Sequence, residues 1–389
     1  MGRRRDNSAF APDLVRTQIL TTLGSVGSMS RSDLMDRLGL GAPTVTENVR
    51  RLIDLGFVRE LSPVVAGSGR PRVPIKLIPD AAHVVGLAPG ATDLHAAVIR
   101  LDGSVAAAVT RDFSPDEPVG PQAAAAMRAV LDGHPYPELI RGVGVGLPGA
   151  VDAETGIMRL SGTFGPSWTE RDLRSEISAA IGLPTVVDNE LRASTVAELL
   201  FGLGRDHDDF GVLGLGDGVG FGMVLDREVL RGPAGIGGEL GHVALDPDNS
   251  ICLCGNRGCL QAKVRVPALL ERAAAAGAIA SADGLDQLLA AAVHSADVRD
   301  ILLTAGQVLG RAIAIVVNLL GIQALRVIGT GHVLWPYLRG GFEQAGRAAT
   351  IAPARGLEVV VTDWSEPEFA RSSACLMLAQ RSFGLLQRS

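Results

Sequence analysis

The chain has 389 residues, of which 47% are hydrophobic, and this length and composition fit two or three folded α/β domains and exclude a disordered chain. Residues 1–76 carry 12 Lys or Arg against 7 Asp or Glu, whereas the rest of the chain carries 24 against 35. The net charge is therefore +5 in the first segment and −11 in the remainder. A basic head on an acidic body suits an anionic partner such as nucleic acid, although an ordinary solvated terminus would show the same charge.

Neither the N-terminal residues nor the apolar segments indicate export or membrane insertion. Residues 3–5 are arginines that lead into a polar stretch rather than an apolar core, so we expect no secretory signal peptide. The longest apolar run, residues 312–325, has 14 residues and contains Asn318 and Gln323, which is too short and too polar to span a bilayer. We therefore expect a cytoplasmic protein, in which cysteines stay reduced and clustered cysteines indicate a metal.

Residues 1–80 have the pattern of a winged helix-turn-helix. PDLVRTQILTTLGS predicts a first helix, Ser30 is a good N-cap for a second, and a glycine turn at 39–41 precedes a third helix over 43–55. The following segment, FVRELSPVVAGSGRPRVPIKLIP, predicts two strands around a glycine- and arginine-rich loop. Three helices alone could be a packing module, but the basic hairpin favours DNA binding.

In that geometry the third helix enters the major groove and the wing contacts the DNA backbone or minor groove. Short polar and cationic side chains are suited to base edges and phosphates. The predicted DNA-contacting residues are Thr44, Thr46, Asn48, Arg50 and Arg51 on the helix, with Arg70 and Arg72 on the wing.

The rest of the chain shows the same design twice. Residues 83–101 alternate apolar and polar residues around Gly90, and residues 210–226 repeat this strand, glycine turn and strand. The repetition predicts a duplicated fold of two similar halves with a cleft between them. We expect a first α/β half over 81–195 with about 365–389, and a second half over 196–364.

Three of the four cysteines, Cys252, Cys254 and Cys259, lie within eight residues and follow His242 by ten residues or more. Three thiolates and one imidazole form a closed tetrahedral zinc set, which is typical of a structural rather than a catalytic site. A reduced cysteine cluster without metal is the alternative. Cys375 lies alone in an amphipathic C-terminal helix and is expected to be an inert core thiol.

At this point the residues carry a resemblance over nearly the whole chain. GELGH followed by CLCGNRGCL resembles the zinc segment of the ROK family (repressor, open reading frame, kinase). GLPGAVD, NLLGIQALRVIGTG and, less closely, DNELRASTVAE are similar to other blocks of that family. The resemblance implies an actin-like (ASKHA, duplicated ribonuclease H-like) sugar-kinase fold with a cleft. The winged head places the chain with the family's transcription factors.

The resemblance also implies a sugar site. In the family the histidine binds zinc through one ring nitrogen and a sugar hydroxyl through the other, which would make His242 a shared residue. Glu239, one turn earlier, would hold the adjacent hydroxyls. The sugar-binding residues implied in this way are Asn189, Glu190, Glu239, His242 and Gln261.

The positions needed for phosphoryl transfer depart from the family pattern. Ala88 replaces the aspartate that orients magnesium, and Asp217 puts a negative charge in the second phosphate loop. Glu190 replaces the aspartate base, and Gln261 replaces a glutamate after the third cysteine. We therefore expect a degenerate kinase without activity. Arg192, which replaces an asparagine, either points outward to a surface carboxylate or brings a cation near the sugar.

The sequence thus predicts a transcriptional regulator, a repressor by resemblance, that binds operator DNA as a homodimer or homotetramer and senses a sugar or sugar derivative. One zinc ion per chain would brace the body. An ATP-dependent sugar kinase with an accessory DNA-binding head is the alternative. In a third hypothesis the body binds no small molecule and only dimerises or meets a protein partner.

Overall fold

The computed structural model describes residues 12–64, 71–245, 249–365 and 367–380. The chain divides into two compact units, Met1–Arg205 with Pro367–Ser389 and Asp206–Glu366, called here the first and second unit. From the sequence, we expect the α/β halves to divide at residue 195. The structure moves this division to Arg205, because the helix that contains residue 195 continues to Phe201.

The helices and strands are numbered in chain order. The helices are α1 (Pro12–Val26), α2 (Arg31–Leu38), α3 (Ala42–Asp54), α4 (Val119–Leu131), α5 (Leu173–Ile181), α6 (Glu190–Phe201), α7 (Leu260–Val264), α8 (Val266–Ala275), α9 (Leu285–His294), α10 (Ala296–Leu320), α11 (Trp335–Ala349) and α12 (Pro367–Leu378). The strands are β1 (Met29–Ser30), β2 (Val58–Glu60), β3 (Pro74–Leu77), β4 (His83–Pro89), β5 (Asp93–Arg100), β6 (Val105–Asp112), β7 (Ile140–Leu147), β8 (Ala150–Asp152), β9 (Ile157–Leu160), β10 (Arg171–Asp172), β11 (Thr185–Asn189), β12 (Phe210–Leu215), β13 (Val219–Leu225), β14 (Glu228–Val229), β15 (Ala324–Ile328) and β16 (Glu358–Val361).

The N-terminal head, α1 to β3, is the winged helix-turn-helix that the sequence predicts. Its strands pair antiparallel in the order β1-β3-β2. Ser30 and Asp33 form a capping box that starts α2, and Gly39 in the left-handed conformation (φ 65°) ends it. Val45 and Val49 bury one side of α3, so that the other side remains exposed.

The head packs directly on the α/β part of its own unit. A Cβ added at Gly24 of α1 would lie 3.0 Å from the carbonyl oxygen of Leu101, which is closer than most Cβ contacts, so glycine favours this close approach. Arg37 of α2 donates to the carbonyl oxygen of Arg205 (Nη2–O 2.6 Å), just beyond α6. These contacts make the head part of the first unit rather than a tethered appendage.

The large sheet of the first unit has the strand order β11-β7-β4-β5-β6. β4 pairs antiparallel with β5 and parallel with β7, and β7 pairs parallel with β11. Helix α12 lies against β4 and β7 where both strands carry glycine. An added Cβ at Gly86 or Gly144 would meet the α12 carbonyl oxygens of Ala370 and Ser373 at 1.8 Å. Cys375 of α12 is fully buried, and burial raises the pKa of its thiol to about 12, as suits an inert core cysteine.

The large sheet of the second unit has the order β14-β13-β12-β15-β16. Its pattern of antiparallel and parallel pairs repeats that of the first sheet strand for strand. The duplicated fold predicted from the two hairpins is therefore confirmed. The repeated arrangement of three antiparallel strands followed by two parallel strands is the actin-like sugar-kinase fold.

Helix α10 is long and apolar enough to cross a membrane by length and composition, and 61% of its apolar window is buried inside the protein. The run of 14 residues counted in the sequence underestimates this helix, because apolar residues continue on its N-terminal side. Its buried side packs in the main core of the second unit, with Leu302 and Leu309 fully buried. A buried core helix meets the same two criteria, so the finding alone does not indicate a membrane segment.

Candidate metal centre and DNA-binding surface

The four predicted metal ligands converge in the second unit. The ligand atoms of His242, Cys252, Cys254 and Cys259 all lie within 4.8 Å of one another. The Cys252 sulfur lies 3.8 Å from Nδ1 of His242, and the sulfurs of Cys254 and Cys259 are also 3.8 Å apart. Tetrahedral Zn–S bonds of about 2.3 Å would place two sulfurs about 3.8 Å apart. The donor set and its spacing therefore fit a four-coordinate zinc ion.

Backbone pairing folds the loop into this shape. Ala244 and Ile251 form isolated antiparallel bridges with Cys259 and Arg257, so the loop closes on itself. Gly255 has a φ of 90° and donates its N–H to the carbonyl oxygen of Cys252, which makes the tight turn between two ligands. The sequence could locate this loop because the ligand spacing and the glycines are local signals.

The cysteines differ in their electrostatic environment. Burial acts to raise the pKa of Cys252, but hydrogen bonds from the Cys254 backbone and from Gln261 outweigh it and lower the pKa to about 6. Burial, together with the neighbouring sulfurs of Cys252 and Cys254, raises the pKa of Cys259 to about 12. These hydrogen bonds thus favour the thiolate of Cys252, which is the form that binds a metal.

Glu239 and His242 form the outer edge of this centre. Nδ1 of His242 faces the Cys252 sulfur, and its Nε2 lies 3.9 Å from Oε2 of Glu239. Both side chains are partly exposed. The imidazole therefore has one nitrogen toward the ligand set and the other beside an accessible carboxylate.

Gln261 is placed differently from the sequence-based expectation. Its side chain is only 9% exposed, and its Nε2 donates to the Cys252 sulfur over 3.1 Å. This contact does not support the expected role of Gln261 in binding a sugar. Instead, the side-chain amide donates its hydrogen bond to a candidate metal ligand, Cys252.

Asn189 and Glu190 lie in the first unit, where β11 passes into α6. The Asn189 side chain caps α6, because Oδ1 accepts from the backbone N–H groups of Leu191 and Arg192 and Nδ2 donates to the carbonyl oxygen of Gly149. Its hydrogen bonds are thus structural. Glu190 is half-buried at the first position of the helix.

Arg192 takes neither of the two orientations expected from the sequence. It is 4% exposed, its Nε donates to Oδ1 of Asp188 over 2.6 Å, and its Nη2 donates to the carbonyl oxygen of Val151. Asp188 is fully buried, and the sequence analysis did not single it out. Its spacing of four residues before Arg192 was the available signal.

The positions that depart from the kinase pattern lie in the two corresponding hairpins. Ala88 is buried near the end of β4 in the first unit, and Asp217 is exposed in the turn between β12 and β13 of the second. A buried alanine offers no ligand for magnesium. An exposed carboxylate in a tight turn would oppose a phosphate there.

The head offers a polar helix face for nucleic acid. Thr46, Arg50 and Arg51 of α3 are exposed, and Thr44 is partly exposed. Asn48, expected among them, is instead 6% exposed. Its Nδ2 donates to the carbonyl oxygen of Thr44.

The wing is described only in part. Arg72 is exposed and pairs with Asp33 of α2 (Nη1–Oδ1 3.0 Å), while Arg70 lies outside the described residues. Glu47, which the sequence analysis passed over, is exposed on α3 beside Thr46. The described basic residues on this face are therefore interleaved with a carboxylate.

A winged helix-turn-helix joined to a duplicated sugar-kinase fold defines a class of protein, the kinase-like regulators with a DNA-binding head. The sequence model of the ROK family matches residues 84–338, and that of a winged helix-turn-helix DNA-binding domain matches residues 13–59. The chain belongs to the ROK family.

Curated relatives include both regulators and kinases. The chain is 26% identical to the DNA-binding transcriptional repressor Mlc of Escherichia coli over 385 residues, 94% of this chain and 93% of that protein. It is 27% identical to the xylose repressor of Caldicellulosiruptor bescii over 273 residues, 68% and 67% of the two chains. It is 36% identical to the glucokinase of Thermotoga maritima over 189 residues, and this match spans 48% of the chain and 58% of the glucokinase.

Solved structures show the same division. A ROK family transcriptional regulator described as a homologue of the E. coli MLC protein superposes with a TM-score of 0.80 at 26% identity, covering 97% of this chain and 98% of that chain. A ROK family glucokinase from Streptomyces griseus superposes with a TM-score of 0.65 at 23% identity, covering 76% and 99%. The second likeness shows the fold alone.

Proposed function

We propose that this protein is a cytoplasmic, sugar-responsive transcriptional regulator that represses by binding operator DNA through its head. The observation that carries the proposal is the likeness to the Mlc repressor over nearly the full length of both chains, head included. The exposed polar face of α3 supports DNA contact. A homodimer would present two heads to the two halves of a palindromic operator, as helix-turn-helix proteins do.

We assign the metal centre to one zinc ion per chain. His242 and the three cysteines would hold it, and it would supply structural bracing of the loop rather than chemistry, because four protein ligands leave no open position. Purified protein should contain one zinc per chain by elemental analysis, and Cys254→Ser should lose it. Cys375→Ala, which alters the buried cysteine of the first unit, should keep it. A folded wild type without metal would contradict the assignment.

The effector in this proposal is a sugar or sugar derivative recognised through hydroxyl groups. Glu239 supports it as an accessible carboxylate beside the outer nitrogen of His242, since adjacent hydroxyls are well matched to such acceptors. Glu190, which is half-buried at the start of α6, is proposed as a second carboxylate that accepts from sugar hydroxyls. Asn189 and Gln261 are left out, because their side chains are used on the helix cap and on Cys252.

The test is the operator affinity measured with and without a panel of sugars, using an operator selected from random duplex DNA by the protein itself. The effective sugar should change the affinity by about 5–150-fold, the usual range of allosteric coupling. Glu239→Gln should abolish the response and leave the affinity without sugar unchanged. Glu228→Gln, an exposed carboxylate on β14 of the same unit, is the control. A full response in Glu239→Gln would contradict the assignment.

A sugar kinase with an accessory head is the second candidate, favoured by the 36% identity to a glucokinase over half of the chain. The proposal expects no sugar-dependent ADP formation in a coupled assay over the same sugar panel. Buried Ala88 and exposed Asp217 give the reason, since they occupy positions where magnesium and phosphate would need support. Steady turnover that depends on both ATP and one sugar would favour the kinase instead.

A further inference from the structure

Gln261 stands next to the metal centre without being one of its ligands. It is the second residue of α7, which begins directly after the ligand Cys259. Its side chain is buried, and its Nε2 donates a hydrogen bond of 3.1 Å to the sulfur of Cys252. This bond links two segments that are nine residues apart, the loop at Cys252 and the helix that follows the loop.

An N–H donor on a ligand sulfur changes the properties of that ligand. Three thiolates around one dication crowd negative charge together, and a donor stabilises the charge on one of them. The donor also fixes the direction of the sulfur lone pairs. Outer partners of this kind typically change metal affinity by about 10–100-fold when they are removed.

We propose that Gln261 is a positioning residue of the metal centre, which holds the Cys252 sulfur in its ligating orientation through the side-chain amide. The inference rests on the zinc assignment made above. An ionised glutamate at this position could only accept hydrogen bonds, and its charge would oppose the thiolates. Of these two side chains, only the glutamine amide can donate a hydrogen bond to the Cys252 sulfur from this position.

The experiment follows the release of zinc from the full-length protein into excess chelator. Gln261→Leu removes the donor at similar volume, and Gln261→Glu removes it and adds charge. Both should release zinc about 10–100-fold faster than the wild type. Gln323→Leu, which changes an exposed glutamine of the same unit, should release it at the wild-type rate.

A spectroscopic readout separates ligand positioning from general loosening of the fold. In the cobalt-substituted protein, loss of the hydrogen bond raises the energy of the sulfur electrons. The sulfur-to-cobalt charge-transfer band of Gln261→Leu should therefore move to longer wavelength. Gln261→Asn keeps the amide but withdraws it from the sulfur, so it should show the same shift. It replaces Gln261→Leu as the test variant if Gln261→Leu does not fold.

The outcomes are distinguishable. A wild type that binds no zinc contradicts the metal centre and this inference with it. A zinc-bound wild type whose Gln261→Leu variant has unchanged release and an unchanged cobalt band contradicts the inference alone. Unchanged release together with weakened sugar binding in Gln261→Leu would return Gln261 to a role in effector recognition and overturn the inference.

Discussion

Arg192 is held inside the first unit by an ion pair with Asp188 that is almost closed to solvent. The pair links the end of β11 to the first turn of α6, and a further hydrogen bond reaches Val151 of β8. Charges buried in this way are tolerated only when each has its partners. Arg192, for which the sequence left open an outward surface pair or a cation near the sugar, is therefore a structural cation.

Replacement of Arg192 should be strongly destabilising. Arg192→Met leaves the fully buried carboxylate of Asp188 without its cation, which typically costs about 3–5 kcal/mol of unfolding free energy. Equilibrium urea denaturation measures the loss, with Arg128→Met on the exposed face of α4 as the control. A loss below about 1 kcal/mol, as for a surface salt bridge, would contradict the description of the pair.

A pair of histidines in the first unit, His83 and His134, lies beside the charged side chains of Asp80 and Arg100. Nδ1 of buried His83 lies 3.0 Å from Nε2 of His134, and its other nitrogen faces Asp80, which also accepts from Arg100. Partial burial lowers the pKa of His134 below 6.5, and the nearby His83 and Arg100 lower it further. The folded chain therefore binds this proton less readily than the unfolded chain.

Acidification should consequently weaken the fold through His134. As the pH falls through 6.5 the unfolded chain takes up the proton first, so the unfolding free energy declines until the folded pKa is passed. His134→Gln should remove this part of the decline as the pH falls through 6.5. His294→Gln, at an exposed site on α9, should retain it. Equal slopes in the wild type and His134→Gln would contradict the assignment.

At the scale of elements, α3 shows where sequence reasoning stops short. Its ends and its buried valines follow from a regular spacing, yet Asn48 was assigned to the outer face. Positions 45, 48, 49 and 52 share one helical stripe, and the structure buries all four. A polar residue within that stripe is better interpreted as a residue that bonds its own helix, as Asn48 does.

The corrected orientation of α3 predicts different roles for its polar residues. Arg50→Ala should weaken binding to every DNA sequence and lower the slope of log affinity against log salt by about 0.9, because it removes one phosphate contact. Asn48→Ala should lower the melting temperature and leave the base preference unchanged. Arg128→Ala on α4 is the control for both. A changed base preference in Asn48→Ala would contradict the buried placement.

The metal loop and the helix cap show which parts of a site a sequence reveals. The ligand set could be predicted because Cys252, Cys254 and Cys259 are close in sequence and their chemistry is specific. The hydrogen bond from Gln261 and the use of Asn189 as a cap could not, because both depend on side-chain direction. The two hairpins were recognisable because each is local, whereas the shared strand order needed the pairing of distant strands.

At the scale of the whole molecule, the head and the α/β part of the first unit should respond together to a change at their contact. Gly24→Val would push a side chain into the carbonyl oxygen of Leu101, which even a Cβ meets at 3.0 Å. Amide hydrogen exchange should therefore quicken both in α1 and in the turn at 101–104. Ser25→Val, the next residue on the same helix, should leave that turn unchanged. Faster exchange confined to α1 would mean that the contact between Gly24 and Leu101 does not stabilise the turn at 101–104.

The glycine contact and the bond from Arg37 to the Arg205 carbonyl also limit how such proteins can diversify. A DNA-binding domain that is joined by a flexible linker can be exchanged between proteins, because it makes no contacts that must be preserved. Here the head packs against the α/β part of the first unit. A head taken from another protein would therefore not fit the turn at 101–104 and the segment that follows α6. New operator preferences are therefore easier to reach by changing the exposed face of α3 than by recombining whole heads.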